Sequence, residues 1–516
     1  MKDSPNKFFE KLNYFLGTEG RTAFFSTLIV GLVSHFSIMV SDIPNHDGLA
    51  SLYFDQNMLT SGRWALGTFC GISSYYSIPW LIGVLSLLYL SLASVFLVKL
   101  LKMKNPLLIV LACAMFAAFP SLASNFAYVF TMDGYMMGVL LSILAVYLVE
   151  CGRFGFLFGG LALSLSLGTY QAYVPIAILL CIYKLLSCFM AEKNFKKKIT
   201  VTGKYAAMGV IGAALYYLVL KLLLLINHTS LNSYQGMSEV ASADKKPLFD
   251  ILKEMYIDFV TFSLKGRILF ANGFALAAVL VLAFAFVMAL IIRLAKEGLF
   301  KSLWTYVIAV ITVLLIPLAA NSVLLVSSDV TYHLLMRYQW VMFGIMALAF
   351  IDETVSMYKA GWTNVVLWGA FLASFVVAFS YVISDNIAYS NLEKKYEKTY
   401  AYCVRLADRI EQTEGYYQGI PIYMIGVVGD DNFPVTDITE NVTDHMLGIG
   451  GDYLLYTPEN YELFYKNYMG ISFNFLRPSE ANYYDSAEYV AMPSFPGQGS
   501  TKVIDGVLYV KTENMH

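Results

Sequence analysis

The chain contains few charged residues. Asp, Glu, Lys and Arg make up 14% of its 516 residues and hydrophobic residues 58%, against roughly 25% and 45 to 50% in soluble proteins. A chain of this composition cannot cover its surface with charge, which excludes an ordinary soluble protein. The net charge of -2 also excludes a nucleic-acid-binding protein, because that function requires a concentrated basic face. We therefore expect most of the chain to lie in a lipid bilayer.

The sequence also lacks the usual signatures of a bound cofactor. It contains six cysteines and six histidines, and none of them has the CxxC or HExxH spacing of a metal site. No glycine-rich loop that would hold nucleotide phosphates at the start of a helix is present. Cys70 and Cys403 both face outward in the topology given below, but one pair at arbitrary spacing does not establish a disulfide. We predict no cofactor and no metal.

Long apolar blocks are the main feature that is present. Each block is close to the roughly 20 residues that a helix needs to cross a bilayer. About eleven blocks predict a mainly α-helical, polytopic integral membrane protein. The blocks are 22–40, 79–101, 106–129, 134–150, 154–170, 172–189, 206–227, 268–294, 303–326, 338–355 and 363–383.

Lys and Arg residues near the block ends predict the orientation, because such residues are retained on the cytoplasmic side. They occur at the N-terminus and in alternate connections, most densely at 193–198, so we expect a cytoplasmic N-terminus. The same pattern requires two short spans at 154–170 and 172–189 with a tight outer turn between them. A single helix of that length would reach about 50 Å, which is too long for one crossing.

An odd number of spans predicts that residues 384–516 lie outside the cell. This tail is polar and rich in tyrosine. Its patterns predict a helix at 391–414 and strands at 420–428 and 506–511. We therefore expect a small extracytoplasmic α/β domain after the membrane domain, which comprises 1–383.

Two outer loops of the membrane domain are long, at 41–78 and 227–267, and long loops are often functional. In the first loop, Asp42 and Asp47 directly follow span one. A carboxylate at this level can take a proton from a sugar hydroxyl. The alternative is structural, because Asp42 suits an Asx turn and Asp47-Gly48 is a common turn pair.

Arg63 is the only basic residue of the first loop, and a guanidinium can bind a phosphate through two parallel hydrogen bonds. An acid and an arginine on one membrane-facing loop suit a phosphate leaving group. Further candidates at the outer boundary are Asp133, Tyr170, Gln171, Lys265, Arg267 and Arg337. Their structural alternatives are a helix-start carboxylate for Asp133, a membrane anchor for Tyr170 and a snorkelling side chain for Arg337.

Two short motifs carry a resemblance to a known family. Asn45-His46-Asp47-Gly48 after span one and Ser61-Gly62-Arg63-Trp64 later in the same loop resemble polytopic bacterial glucosyltransferases of the serotype-converting glucosyltransferase II type, in the GT-C class. The long outer loops after spans one and seven match the layout of that family. Its members commonly have an acidic pair followed by Gly-Arg-Pro. Here His46 replaces the first acid and Trp64 the proline.

The resemblance implies a membrane enzyme that transfers a hexose from a polyprenyl-phosphate carrier to a cell-surface glycan outside the membrane. The hexose expected is glucose. Asp47 would be the general base, with Asp42 as its competitor, and Arg63 would bind the departing lipid phosphate. His46 and Trp64 would contact substrate as parts of the two motifs. Direct displacement would invert the anomeric configuration. The expected partners are the lipid-linked sugar donor, the glycan acceptor and the bilayer, without nucleic acid.

A transporter or flippase of lipid-linked glycans is the main alternative, and a non-catalytic protein of surface-glycan assembly is another. Transporters commonly place ionisable residues near the membrane midplane and contain repeated halves. In this chain Lys221 is the main midplane candidate, whereas the long polar loops lie on one side. This distribution favours the enzyme.

Overall fold

A computed structural model shows how these segments fold. The residues that it describes are 5–50, 58–70, 76–232, 246–265, 269–326, 330–358, 361–425, 449, 454–477 and 486–512. The chain divides into two compact units. The first comprises Met1–Val40 and Phe54–Asn386, and the second comprises Ser41–Tyr53 and Ile387–His516.

Most of the described chain is helical. Helix α2, the last part of α16, α17 and α18 belong to the second unit, and the other helices to the first. In chain order the helices are α1 (Pro5–Val40), α2 (His46–Ala50), α3 (Leu66–Cys70), α4 (Pro79–Leu101), α5 (Pro106–Ala118), α6 (Ser121–Phe126), α7 (Met132–Val149), α8 (Gly155–Thr169), α9 (Val174–Ala191), α10 (Phe195–Ile226), α11 (Leu248–Lys265), α12 (Gly273–Lys296), α13 (Leu303–Ala320), α14 (Val323–Val326), α15 (Val341–Met357), α16 (Thr363–Glu411), α17 (Pro458–Phe464) and α18 (Ala487–Ala491).

Nine helices among the described residues are long and apolar enough to cross a membrane, which indicates a multi-pass membrane protein. They correspond to nine of the predicted blocks. The other two blocks form α5 and α8, with 13 and 15 residues, and at 1.5 Å per residue these helices reach only about 20 and 23 Å. Eleven spans, and the side of the membrane that each end faces, stay predictions.

The predicted block 106–129 is not one continuous helix. Helix α5 ends at Ala118, because Phe119 has an extended backbone with φ -65° and ψ 128° and proline at position 120 disfavours helical backbone in the residue before it. The chain continues through α6 and the 3-10 turn Val129–Thr131 into α7. This break places Asp133 in the first turn of α7.

The predicted turn between 154–170 and 172–189 is confirmed. Tyr170 has an extended backbone with φ -160° and ψ 114°, which ends α8. The 3-10 turn Gln171–Tyr173 follows, and α9 then begins with a proline in its first turn, where the missing N–H costs no hydrogen bond. Tyr170 and Gln171 therefore lie at a helix junction.

The helices of the first unit pack as successive neighbours. Helix α7 packs between α4 and α8, and α8 also packs against α10. Helix α1 packs against α4 and α5, and α15 packs against α5 and α12. Helix α3 also packs on α7. The junction before α7 and the junction after α8 therefore both lie near α3.

The predicted outer loop 227–267 contains the amphipathic helix α11. Ile251 and Met255 are buried on one side of it, against α13 and α14. The buried amide of Asn321 donates to the backbone carbonyl of Met255 at 2.7 Å. The hydroxyl of Tyr256 donates to the carbonyl of Leu314 at 2.6 Å. Helix α11 is thus fixed to the bundle along its length.

The second unit contains a four-stranded sheet in the order β2-β1-β4-β3. Strand β1 is parallel to β2 and β4, and β3 is antiparallel to β4. Strands β1 and β4 coincide with predicted strands, although 426–428 of the first lies outside the described residues. The strands are β1 (Pro421–Ile425), β2 (Asn474–Phe475), β3 (Thr501–Ile504) and β4 (Val507–Lys511).

Strands β2 and β3 were not predicted. Strand β2 has only two residues, too few for a periodic pattern. The hairpin between β3 and β4 turns at Asp505 and Gly506, whose φ angles are 49° and 81°. An Asp-Gly pair with both φ angles positive is typical of a type I′ hairpin turn. The dipeptide is therefore the sequence signal of this hairpin.

The core of the second unit joins segments that are distant in sequence. Leu49 of α2 is 1% exposed and shares a buried cluster with Leu406 and Ile410 of α16, Phe464 of α17 and Leu508 of β4. The segment that carries the first family-like motif therefore folds as part of this unit. The predicted helix 391–414 is the end of the continuous helix α16.

Candidate active-site residues

Arg63 lies in a tight loop between Met58 and α3. Its amide donates to the carbonyl of Met58 at 2.7 Å, and the amide of Gly62 donates to that of Leu59 at 3.0 Å. Gly62 has a φ of 73°, a backbone conformation that favours glycine. The Ser61-Gly62-Arg63 sequence therefore forms a turn that presents the arginine side chain immediately before a helix.

Two tyrosines orient the guanidinium of Arg63. Its Nη1 donates to the hydroxyl of Tyr135 at 3.1 Å, and its Cζ lies 5.4 Å from the ring centroid of Tyr170. The two tyrosine rings are stacked, with centroids 4.6 Å apart, and Tyr173 packs edge-on against both. Arg63 and Tyr170, predicted separately, thus belong to one aromatic cluster.

Gln171 and Tyr216 hold the backbone of the Arg63 loop. Gln171 Nε2 donates to the carbonyl of Ser61 at 3.2 Å and to the hydroxyl of Tyr216 at 3.0 Å. That hydroxyl donates to the carbonyl of Gly62 at 3.1 Å. Two consecutive carbonyls are therefore fixed by side chains from a helix junction and from α10. Gln171 acts on the loop backbone in this structure.

Trp64 attaches the loop to the end of α8. A Cβ atom added to Gly168 would lie 2.5 Å from an atom of the Trp64 ring, so the close approach requires glycine. The amide of Ala65 donates to the Gly168 carbonyl at 2.7 Å. Trp64 Nε1 is buried and has no hydrogen-bond partner among the described residues. The indole therefore fixes the loop through its close packing against Gly168.

Asp133 lies at the start of α7, where it is fully buried. One carboxylate oxygen accepts a hydrogen bond from the amide of Gly134 at 2.9 Å. The Cys70 thiol is a neighbour, and burial together with the Asp133 charge raises the pKa of that thiol well above its ordinary value. No disulfide joins Cys70 and Cys403.

Asp42, His46 and Asp47 belong to the second unit. Asp47 lies in the first turn of α2, its side chain is 47% exposed, and its Oδ2 lies 3.6 Å from His46 Nε2. The amide of Gly48 donates to Asn45 Oδ1 at 2.7 Å. Asp42 is exposed at the surface of the second unit. The burial that its carboxyl does have raises the pKa of that carboxyl above the ordinary aspartate value.

Helix α17 supports this motif within the second unit. Asn460 Nδ2 donates to the carbonyl of His46 at 3.3 Å. The ring of Tyr456, just before α17, lies edge-on to the imidazole of His46, with centroids 5.5 Å apart. The side chains that flank Asp47 thus come from segments more than 400 residues apart.

Arg337 is held in a different cluster of the first unit. It forms a two-pronged ion pair with Asp258 of α11, with both N–O distances 2.7 Å. The guanidinium lies 3.9 Å from the ring centroid of Tyr332 and 4.5 Å from that of Phe262. It is 7% exposed. This geometry connects α11 to the segment before α15 and differs from the snorkelling side chain considered above.

Lys265 and Arg267, the remaining predicted phosphate ligands, lie at the end of the second loop. Lys265 is the last residue of α11 and is exposed. Arg267 lies outside the described residues. Their proposed contacts with a lipid phosphate stay predictions.

Three side chains that organise these clusters were missed in the sequence. Tyr135 and Tyr216 lie within apolar spans, where tyrosine is also ordinary packing. Asp258 is one of five charged residues of the amphipathic helix α11, so nothing in the sequence distinguishes it from the others. Only the fold identifies Arg337 as the partner of Asp258.

Comparison with protein families and with curated proteins gives one match. A family model described as glucosyl transferase GtrII matches residues 36–338, which is more than half of the chain. The matched range includes both short motifs, all of α3 to α14 and the segment that contains Arg337. No curated protein matches the chain.

Proposed function

Because the chain belongs to the glucosyl transferase GtrII family, we propose that it transfers glucose from a polyprenyl-phosphate carrier to a cell-surface glycan at the outer face of the membrane. Membership of the family indicates a glycosyltransferase and agrees with the resemblance seen in the two motifs. The carrier, the acceptor and the direct displacement are parts of the proposal. The single observation that supports it most is the fixed orientation of Arg63.

Arg63 is proposed to bind the phosphate of the lipid-linked donor. A guanidinium offers several N–H donors in a rigid fork, which suits two phosphate oxygens. Tyr135 and Tyr170 orient the fork through a hydrogen bond and a ring contact. A cation that is fixed before the reaction stabilises the charge that develops on the leaving phosphate.

Asp47 is proposed to act on the acceptor. The acceptor hydroxyl attacks the anomeric carbon, its proton passes to the carboxylate, and the bond between that carbon and the phosphate oxygen breaks, with the electron pair leaving on the phosphate. A base must reach the proton that it removes, and the 47% exposure of Asp47 supports such access. Asp42 remains the competing base. Burial raises the pKa of its carboxyl above the ordinary aspartate value, and a higher pKa makes a carboxylate a stronger base.

Arg337 is proposed to position α11 rather than to bind substrate. Its charge is already matched by Asp258 in two short hydrogen bonds. Asp133 is likewise proposed to fix the start of α7, where it is fully buried and accepts a hydrogen bond from the Gly134 amide. Lys265 and Arg267 stay proposed contacts of the donor phosphate.

A transfer assay tests the proposal. The purified full chain in lipid nanodiscs receives radiolabelled polyprenyl-phosphate glucose and lipopolysaccharide or polysaccharide acceptors, and label in the glycan is measured. We expect transfer by the wild type, severe loss in Arg63→Ala and Asp47→Asn, and normal transfer in the controls Arg153→Ala and Asp408→Asn, which change exposed residues. Movement of the donor across vesicles without label transfer would support a flippase instead.

The two candidate bases are separated by the same assay. If Asp47 is the base, Asp42→Asn retains transfer and Asp47→Asn does not. The opposite result, with the acidic limb of the pH profile lost in Asp42→Asn, would assign the base to Asp42. Full transfer in both single variants would exclude both assignments.

A further inference from the structure

We propose that the second unit carries a sugar-binding subsite for the acceptor, formed by Tyr456 with His46, Asp47 and Asn460. The inference rests on the proposed function, because it assigns the acceptor hydroxyl to Asp47. It adds a binding surface that neither short motif identifies, since Tyr456 and Asn460 lie far beyond the residues matched by the family model.

The aromatic part of the subsite is Tyr456. Its side chain is 46% exposed, although the adjacent Leu455 is fully buried in the core of the second unit. The backbone at this point is therefore fixed while the tyrosine ring faces outward. An anchored, partly exposed aromatic ring offers an apolar face together with a polar hydroxyl, and the C–H face and hydroxyls of a sugar ring match both properties.

His46 connects the aromatic ring with the proposed base. The imidazole contacts Tyr456 edge-on, with ring planes at 65°, and its Nε2 lies 3.6 Å from Asp47 Oδ2. The imidazole thus contacts both the tyrosine ring and the carboxylate, and the three side chains form one cluster. His46, which replaces an acid of the family pattern, thus acquires a role in positioning.

Asn460 supplies a second, independent observation. The residue is 7% exposed, and its Oδ1 is buried without a hydrogen-bond partner among the described residues. Its Nδ2 is used by the His46 carbonyl. An amide oxygen left without a donor is costly in a folded protein, so Asn460 has an unused acceptor within this cluster.

The charges favour a neutral, hydroxyl-rich ligand over the lipid phosphate. Phosphate binding sites use Arg or Lys, whereas this cluster contains a carboxylate, an amide, a phenol and an imidazole. The Asp47 carboxylate repels a phosphate and accepts a hydroxyl proton. The acceptor glycan is therefore the substrate that this cluster suits.

Saturation-transfer NMR on the full chain in nanodiscs tests the subsite without requiring transfer. The probes are methyl glucoside, methyl galactoside and methyl rhamnoside, with inorganic phosphate as a separate probe. We expect at least one glycoside to bind the wild type, and to bind Tyr456→Ala several-fold to about tenfold more weakly, the size of one lost aromatic contact. Tyr456→Phe keeps the ring and loses only the hydroxyl, so its loss should be smaller than that of Tyr456→Ala. Tyr417→Ala removes another exposed tyrosine of the same unit and should bind as the wild type.

The outcomes separate the subsite from the proposed function. Equal glycoside binding by Tyr456→Ala and wild type, or binding of phosphate in place of glycosides, would overturn the subsite. In the transfer assay we expect Tyr456→Ala to raise the acceptor KM by a similar factor while the donor KM is unchanged. Glycoside binding that depends on Tyr456, in a protein without transfer from polyprenyl-phosphate glucose, would support the subsite and reject the proposed function.

Discussion

Arg63 and Arg337 are both predicted site residues that lie against aromatic rings, yet their surroundings differ. Arg63 donates to a neutral tyrosine hydroxyl and stands on a loop whose carbonyls are held by other side chains. Arg337 forms two short hydrogen bonds with a carboxylate and is nearly buried. The hydroxyl of Tyr135 is an uncharged partner of Arg63, whereas the carboxylate of Asp258 neutralises the charge of Arg337.

The different surroundings of Arg63 and Arg337 indicate different roles for the two arginines. A buried ion pair with good geometry fixes the elements that carry it, because removal of one partner leaves the other charge in a poor environment. Arg63 lies on a loop that carries one of the family-like motifs, and its guanidinium is proposed to bind an anionic ligand. We therefore expect substitution of Arg337 to affect stability first, and substitution of Arg63 to affect transfer first.

Arg337→Ala should have the largest effect of those considered. It leaves the Asp258 carboxylate, whose side chain is 26% exposed, without its partner, and we expect a loss of about 3 kcal/mol in unfolding free energy, at the low end for buried pairs. Thermal unfolding in detergent measures the loss. The double variant Arg337→Met with Asp258→Leu should recover much of it. Unchanged stability combined with lost transfer would show instead that Arg337 acts on substrate.

Arg63→Ala should break the comparison in the other direction. We expect kcat/KM for transfer to fall roughly 100- to 1,000-fold, the size of one lost donor to a developing charge, while the unfolding free energy changes by less than about 1 kcal/mol. Arg63→Lys should recover only part of the rate, because a lysine lacks the fork. A stability loss as large as that of Arg337→Ala would remove the distinction between the two arginines.

The sequence predicted the elements better than their contacts. Hydropathy located the long helices, because a bilayer imposes both length and composition on a span. It misplaced the end of one block, where Pro120 ends α5 earlier than the apolar run. The proline is visible in the sequence, and it disfavours helical backbone in the residue before it.

The grouping of the site residues depended on tertiary contacts. Arg63, Tyr170 and Gln171 were each predicted, but Tyr135 and Tyr216, which join them, lie in apolar helices where nothing marks them. The segment 41–53 packs within the second unit through residues such as Leu49, and no local pattern predicts that association. Partners at long sequence separation are set by packing, which a single sequence does not reveal.

Tyr216→Phe tests whether the loop carbonyls position Arg63. The change removes the hydroxyl that donates to Gly62, and we expect kcat/KM to fall by roughly five- to thirtyfold, equal to about 1 to 2 kcal/mol. Tyr217→Phe, an exposed neighbour on the same helix, is the matched control. In an Arg63→Ala background the Tyr216→Phe change should add little, because both act through one group. Fully additive losses would contradict this positioning role.

Lys265→Ala, at the end of α11, should have the smallest effect on transfer. It tests whether Arg63 or this end of α11 binds the donor phosphate. An exposed lysine is solvated and screened by salt, so its attraction for a lipid phosphate is worth at most about 1 kcal/mol. We therefore expect the donor KM to rise no more than about fivefold. The rise should be smaller at high salt. Lys253→Ala, also exposed on α11, is the matched control. A loss in Lys265→Ala as large as that in Arg63→Ala would place the donor phosphate at the end of α11, and Arg63 would then be the residue with the structural role.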